Sequence, residues 1–302
     1  MSLQAPKSHH FTPIFYLKEW AVDGRVTRYY RPKDVVVASR IAPKNTGYED
    51  HLYTLHGVPP EQQEFLETQL FSPVDSRAAI VHQLLLSGNL VRLTNEQRAD
   101  WARFMMSMQL RSPFSLSELQ RLADQNLRMN LQPDDAEYTA IRKPGEPKNI
   151  YDWTAKYQPH VIEEAHKHFL PGLIDHEELG QYLVNMNWNT IDVSTASLTL
   201  LTSDRPFIHT HGWKDPRTVL HFPLSPRRLF IATNGRVRTI QVMMTSPTEL
   251  VKLVNNQIVG CAVDFVIGTD NSHLSLVEQR LRKLSEEPLP GPIGKGRPGC
   301  PT

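Results

Sequence analysis

The chain has 302 residues, and its 33 lysines and arginines nearly balance its 32 aspartates and glutamates. With a net charge of only +1, the molecule has no global field that would draw it to nucleic acid or to an anionic membrane, so such binding would need a local patch. No apolar run approaches the ~18 residues that a membrane-spanning helix needs, which predicts a soluble protein without a membrane partner.

The first third of the chain predicts strands. A turn at Asp23–Gly24 separates the N-terminal element from two extended segments, and residues 51–55 predict a third strand. From Pro59 the apolar spacing becomes helical, and the break near Ser72–Pro73 predicts two consecutive helices.

The central part predicts further helices. Thr94 followed by Gln97 is typical of a capping box, and Pro113 is expected to kink or end the first half of the long helix that starts there. Residues 131–149 are polar and rich in proline, which predicts a long loop before helical spacing resumes.

The last third returns to β-branched segments and then to amphipathic helices. Strands, helices, strands and helices follow one another without regular βαβ alternation, which favours an α+β fold with a mixed or antiparallel sheet built from N- and C-terminal strands. We expect one domain at 1–285, with the sheet covered by a central helical region at about 59–187. Residues 286–302 predict a disordered Pro/Gly-rich tail.

The compartment follows from the N-terminus and the cysteines. The opening MSLQAPKSHH lacks the charged-then-apolar pattern of a signal peptide. Cys261 in an apolar run and Cys300 in the tail do not make a disulfide framework. The sequence therefore predicts a cytoplasmic protein.

No motif identifies a cofactor. The chain has no phosphate-binding loop, dinucleotide fingerprint, HExxH or paired CxxC, so the cofactor stays unknown. The candidate metal ligands are the histidines and the glutamate at 160–176, together with His209 and His211. Only Glu163 and His166 are taken to have the spacing of one helix face, which does not predict a metal site.

The stretch HHFTPIFYL at 9–17 places two histidines before an apolar run. His10 could supply an imidazole base near neutral pH. Adjacent histidines rarely face the same way, so at most one is expected to point into a site. The alternative is that both cap or brace the N-terminal element.

Two other motifs put polar residues in apolar elements. TSDRP at 202–206 ends a strand pattern and makes Asp204 the best carboxylate candidate, unless it only forms a turn before the proline. QLRSP at 109–113 places Gln109 and Arg111 on an apolar helix. A buried Arg111 would need a carboxylate partner, for which Asp204 or Glu67 would serve; a structural ion pair is the alternative.

Basic and aromatic residues alternate near the N-terminus. Arg28, Arg31 and Lys44 are interleaved with Tyr29 and Tyr30, a pattern that single-stranded nucleic acid binding uses. A solvated sheet face whose cations guard an edge strand explains the same residues.

HHFTPIFYL, RSP at 111–113, and TSDRP followed by PLSP at 223–226 occur in an order and spacing that resemble a bacterial family catalogued only as a domain of unknown function, number 4238. The resemblance extends from residue 9 to about 265. The positions that match its pattern are His10, Pro13, Arg111, Asp204 and Pro206. Because the family name records no activity, the resemblance implies no catalytic role for any of them.

Three functions compete. The favoured one is a hydrolase for a phosphate-containing or nucleic acid substrate, with catalytic and substrate-binding groups spread over the three motifs. The second is a non-catalytic module that binds nucleic acid or protein. The third is a buried polar cluster that only fixes packing. The predicted catalytic residues are His10, Asp204 and Arg111, and the predicted substrate-binding residues are Lys44, Arg28, Arg31 and Gln109.

Overall fold

The computed structural model describes residues 8–132 and 136–282. The predicted disordered tail at 286–302 therefore lies outside the described residues, and so does Cys300. Cys261 is not a free thiol. The prediction that the cysteines make no disulfide framework therefore does not hold for Cys261.

Ten strands form two larger antiparallel sheets and one small one. Their bounds are β1 Ser8–His10, β2 Val26–Tyr30, β3 Val37–Ile41, β4 Tyr48–Asp50, β5 Asn187–Asp192, β6 Thr202–Ser203, β7 Ile208–His209, β8 Val219–Ser225, β9 Arg228–Thr233 and β10 Val266–Gly268.

The first sheet has the strand order β3-β2-β10-β6 and joins the two ends of the chain, as predicted. The second has the order β5-β9-β8-β7, and β1 pairs with β4 in the small sheet. The predicted α+β class is therefore confirmed, with two main sheets in place of one. The predicted domain limits, 1–285, stay a prediction.

Helices fill the centre of the chain and its last part. Their bounds are α1 Ile14–Leu17, α2 Ser72–Leu86, α3 Asn95–Leu110, α4 Pro113–Leu131, α5 Ala136–Ile141, α6 Ile150–Tyr157, α7 Pro159–Glu163, α8 Ala165–Ile174, α9 Glu177–Asn185, α10 Arg236–Met243, α11 Pro247–Cys261 and α12 Leu274–Arg280.

The boundaries of α3 and α4 follow from local signals. Thr94 and Gln97 form the reciprocal capping box that starts α3. Ser112 caps α4 and Pro113 is its first residue, so the proline ends the preceding helix as predicted.

Two predictions are wrong. Residues 51–55 form turns and irregular chain, because the preceding residues Tyr48–Asp50 pair with β1 as β4 instead. The chain does not break at Ser72–Pro73, since a π-helical segment at Leu66–Phe71 runs directly into α2. Pro73 therefore marks the change from π-helical to α-helical chain and does not separate two helices.

The second sheet lies between two apolar cores. Along β9, Phe230 and Ala232 belong to the core that contains the aromatic residues of α3, whereas Leu229 and Ile231 belong to the core beneath α11. Side chains of a strand alternate between its faces, and both faces are covered, so β9 is apolar on both.

Within the described residues, no helix combines the length and apolarity needed to cross a membrane. The loop predicted at 131–149 contains the short helix α5.

Candidate functional site

The two opening histidines have different environments. His9 is fully buried, its Nδ1 accepts a hydrogen bond from the Tyr53 N–H at 3.0 Å, and its Nε2 lies 2.9 Å from a Glu64 carboxylate oxygen. Because Nδ1 accepts, the ring proton sits on Nε2 and faces Glu64. His9 is therefore the bracing residue of the pair.

His10 is only partly buried. Its Nε2 lies 3.2 Å from the carbonyl oxygen of Lys44, and its ring packs against Tyr48 with centroids 5.3 Å apart. A carbonyl only accepts, so Nε2 carries the proton and Nδ1 keeps its lone pair. Burial lowers the pKa of His10, against the opposing effects of the Lys44 carbonyl and of Asp75. A neutral imidazole with a free Nδ1 can act as a base.

Arg111 lies at the end of α3 and is fully buried. Its Nη1 donates to Asp75 at 2.8 Å, and its Nε and Nη2 contact the sulfur of Met108 at 3.2 and 2.6 Å. Its carbonyl accepts from the Tyr53 hydroxyl at 2.7 Å. The expected carboxylate partner exists, but it is Asp75 and neither of the two suggested. A guanidinium with no exposed surface does not contact a dissolved substrate.

Glu67 lies close to this ion pair on the π-helical segment. Burial and then the charge of Asp75 raise the pKa of Glu67 to about 7, although Arg111 acts in the opposite direction. Its Oε2 is buried and has no hydrogen-bond partner among the described residues. Glu67 therefore takes up a proton near neutral pH.

Asp204 follows β6 and is 1% exposed. Its carboxylate accepts hydrogen bonds from the N–H groups of Val263 at 3.2 Å and Phe265 at 3.4 Å. Burial and then the charge of Asp264 raise the pKa of Asp204 to about 7, and Arg205 acts against them. Asp204 thus ties the end of β6 to the start of β10.

Asp264, between the two residues that bond Asp204, is exposed. Partial desolvation of its carboxylate raises its pKa, and the charges of Arg28 and Arg282 act against that rise. The solvent-facing carboxylate of this pair is therefore Asp264, and Asp204 lies behind it.

Arg28, on β2, is half-buried. Its guanidinium carbon lies 4.9 Å from the centre of the Tyr30 ring and 5.3 Å from that of Phe265. Burial lowers its pKa, while the charges of Asp264 and Asp204 raise it. No described residue accepts a hydrogen bond from its side chain, and its Nε is buried without a partner.

Three other predicted substrate contacts have distinct positions. Lys44 has an exposed side chain, and its carbonyl holds His10. Arg31 donates from all three guanidinium nitrogens to main-chain carbonyls, two of them at the end of α12. Gln109 donates to the carbonyl of Phe207 at 3.0 Å. Arg31 and Gln109 brace the fold where they lie.

The three sequence motifs converge. Phe11 packs on Phe265 with ring centroids 6.1 Å apart, and Phe265 bonds Asp204, so HHFTP reaches TSDRP through two contacts. Arg205 lies over the ring of Phe114 at 5.1 Å, which brings TSDRP to the start of α4 beside RSP.

Tyr48 packs on the ring of His10 and is one of the groups that raise the pKa of Arg28. We call the connected set the His10–Arg28 surface; it consists of His10, Lys44, Tyr48, Arg28 and Asp264.

Sequence reasoning missed Tyr48, Asp264 and Asp75, and named Glu67 only as a partner for Arg111. Nothing local distinguishes these carboxylates from exposed ones, since their environment comes from elements far away in the chain. Tyr48 had one signal, because it follows the basic and aromatic stretch for which nucleic acid binding is one of two interpretations.

Among the described residues, no group of three or more histidine, cysteine or acidic side chains is arranged to hold a metal ion.

A family model described as "Protein of unknown function (DUF4238)" matches residues 8–272. No curated protein and no solved structure matches the chain.

Proposed function

We propose that the protein, which belongs to the DUF4238 family of proteins of unknown function, is a hydrolase that binds a phosphate-containing or nucleic acid substrate at the His10–Arg28 surface. The observation that carries the proposal is Arg28. A half-buried guanidinium without a hydrogen-bond partner among the described residues fits an anionic group better than it fits a scaffold.

Four residues of the surface have a role in this proposal. Arg28 and the exposed Lys44 bind the phosphate oxygens. The Nδ1 of His10 takes a proton from the attacking water, since Nε2 is held by Lys44. Asp264, the solvent-facing carboxylate of its pair with Asp204, gives a proton to the leaving oxygen.

Two predicted catalytic residues act from behind the surface. Asp204 orients the loop that carries Asp264 through its bonds to Val263 and Phe265. The Arg111–Asp75 pair affects the pKa of His10 from the interior. Both are positioning residues in this proposal.

The test is the hydrolysis of bis(p-nitrophenyl) phosphate and p-nitrophenyl phosphate across the neutral pH range. We expect His10→Ala to lower kcat by roughly 10²- to 10⁴-fold, the usual contribution of a general base. Arg28→Gln should chiefly raise KM. Arg25→Gln is the matched control, because Arg25 is an exposed arginine close by in sequence.

Turnover that persists in His10→Ala would refute the catalytic role of this residue. No turnover of either ester, together with retained binding of phosphate-containing ligands that depends on Arg28, would favour the non-catalytic binding module. Together with this function, we propose that the protein is bacterial and cytoplasmic.

A further inference from the structure

The outer face of α10 exposes large apolar side chains to solvent. Val237, Ile240 and Met244 are 72, 56 and 81% exposed, and Met243 is 55% exposed. These positions are three or four residues apart, so their side chains form one stripe along the helix. A continuous exposed apolar stripe is typical of a surface that another molecule covers.

The inner face of α10 holds the helix against the second sheet. Thr239 is buried, and its hydroxyl oxygen lies 2.6 Å from that of Thr233 at the end of β9. Val242 packs against the core beneath α11. The helix is therefore fixed in place, and the stripe is a built feature of the fold.

A groove of about 440 Å³ lies beside the stripe, where α10 borders the start of β5. Met186 and Asn189 line one side of the groove, and Arg236 and Ile240 line the other. Ile240 belongs to both the groove and the stripe, so the two are continuous. We call the stripe and the groove together the α10 surface.

The groove is basic. Arg98 and Arg236 line it, and none of the described residues that line it is acidic. The Arg98 guanidinium donates to the carbonyl oxygens of Val184 and Met186 at 2.5 and 3.2 Å, and its central carbon lies 3.9 Å from the centre of the Trp188 ring. These contacts fix the cation without neutralising it, which favours an anionic group in the groove.

The charge and the apolar stripe together select one kind of occupant. A second copy of this chain, packed face to face, would bring Arg236 and Arg238 against the same two arginines. A bilayer would cover the stripe but is too flat to enter the groove. An acidic amphipathic helix suits both parts, since one of its faces is apolar and its carboxylates lie along the edge of that face.

We propose that the α10 surface binds an acidic amphipathic segment of a partner protein. The apolar side chains of the segment pack on Val237, Ile240 and Met244. Its carboxylates bind Arg98 and Arg236. This interaction goes beyond the proposed function and uses no residue of the His10–Arg28 surface, so either proposal can fail without the other.

The experiment selects binders of the full-length protein from a phage-displayed library of random peptides, and then titrates the enriched peptides by fluorescence anisotropy. We expect enriched sequences to combine Asp or Glu with apolar residues at helical spacing. Ile240→Asp should weaken their binding about tenfold or more, because it places a carboxylate in the apolar stripe. Arg236→Gln should weaken binding less and should reduce its dependence on salt.

Matched controls separate these effects from a general loss of structure. Ile80 is 63% exposed on α2, so Ile80→Asp makes the same change on another helix and should bind as wild type does. Arg25→Gln is the control for Arg236→Gln, since Arg25 is also exposed. Thermal unfolding of each variant checks that it is folded. Hydrolysis of the two nitrophenyl esters should be unchanged in Ile240→Asp.

Three results would overturn the inference. The first is a selection that enriches no acidic amphipathic peptide, or only peptides that Ile240→Asp binds as tightly as wild type. The second is a dimer in analytical ultracentrifugation that Ile240→Asp converts to monomer, which would make the α10 surface a contact between two copies. The third is Ile240-dependent binding to vesicles of phosphatidylglycerol but not of phosphatidylcholine, which would assign the surface to an anionic membrane.

Discussion

Arg111 and Arg28 are both arginines with buried surface beside carboxylates, yet their environments differ. The Arg111 guanidinium is fully buried and donates to Asp75 at 2.8 Å. That of Arg28 has Asp264 and Asp204 close enough to affect its pKa, but donates to neither. A buried cation must be paired to be tolerated, whereas a partly exposed one can leave its donors to water or to a ligand.

The difference separates bracing from binding. The contacts around Arg111 connect α3, α2 and the turn that carries Tyr53. Removing one member leaves the other buried polar groups without a partner, which destabilises the fold. Arg28 packs on ring faces and interacts with charges at longer range. Removing it therefore leaves no buried polar group without a hydrogen-bond partner.

The largest expected effect is from Arg111→Met. It leaves the Asp75 carboxylate without its cation, and we expect a loss of about 3–5 kcal/mol in the free energy of unfolding. Arg121→Met is the control, because its pair with Glu118 is solvent-exposed and should contribute less than about 1 kcal/mol. The double variant Arg111→Met/Asp75→Asn should recover part of the lost free energy of unfolding, which denaturant titration measures. Equal effects at Arg111 and Arg121 would contradict the bracing role.

Asp204→Ala should come next. The N–H groups of Val263 and Phe265 lose their acceptor in a buried place, at a cost of about 1–3 kcal/mol. The control is Asp192→Ala, since Asp192 also accepts a backbone N–H at a strand end but is 52% exposed. If Asp192→Ala lowered the Tm more than Asp204→Ala does, the buried structural role of Asp204 would be contradicted.

Glu67→Gln tests the carboxylate beside the Arg111 pair. Its folded-state pKa of about 7 is above the ordinary 4.5, so the penalty for its charge is absent below pH 4.5, grows up to pH 7 and is complete above it. The variant should gain roughly 1–2 kcal/mol over wild type at pH 8 and nothing near pH 4. Tm profiles against pH check this, with exposed Glu61→Gln as the control. If the Tm of Glu67→Gln and that of wild type changed in parallel with pH, the predicted penalty for the Glu67 charge would be refuted.

Arg28→Gln should have the smallest effect on stability. Only its contacts with the Tyr30 and Phe265 rings are lost, which is worth less than about 1 kcal/mol. Arg31→Gln should cost more, because its side chain donates to three carbonyls. The reverse order in urea denaturation would mean that Arg28 is a structural residue.

Local signals predicted the elements that depend on local bonds. The capping box at Thr94 and the helix boundary at Pro113 are set by groups within four residues of each other, so they could be read from the chain. The strand at 51–55 failed because strand pairing is a long-range choice, and β1 pairs with residues 48–50 instead.

The sequence by itself determined the α+β class and the sheet that joins the chain ends, and it named the three motifs without deciding whether they meet. Only the tertiary structure decided what each motif residue does there, because burial and charge partners come from distant segments. It assigned Asp75 to Arg111, buried Asp204 behind Asp264, and left Arg28 and Arg205 without acceptors. Residue type and spacing determine which polar groups are present. Packing determines which of these groups already have a hydrogen-bond or charge partner.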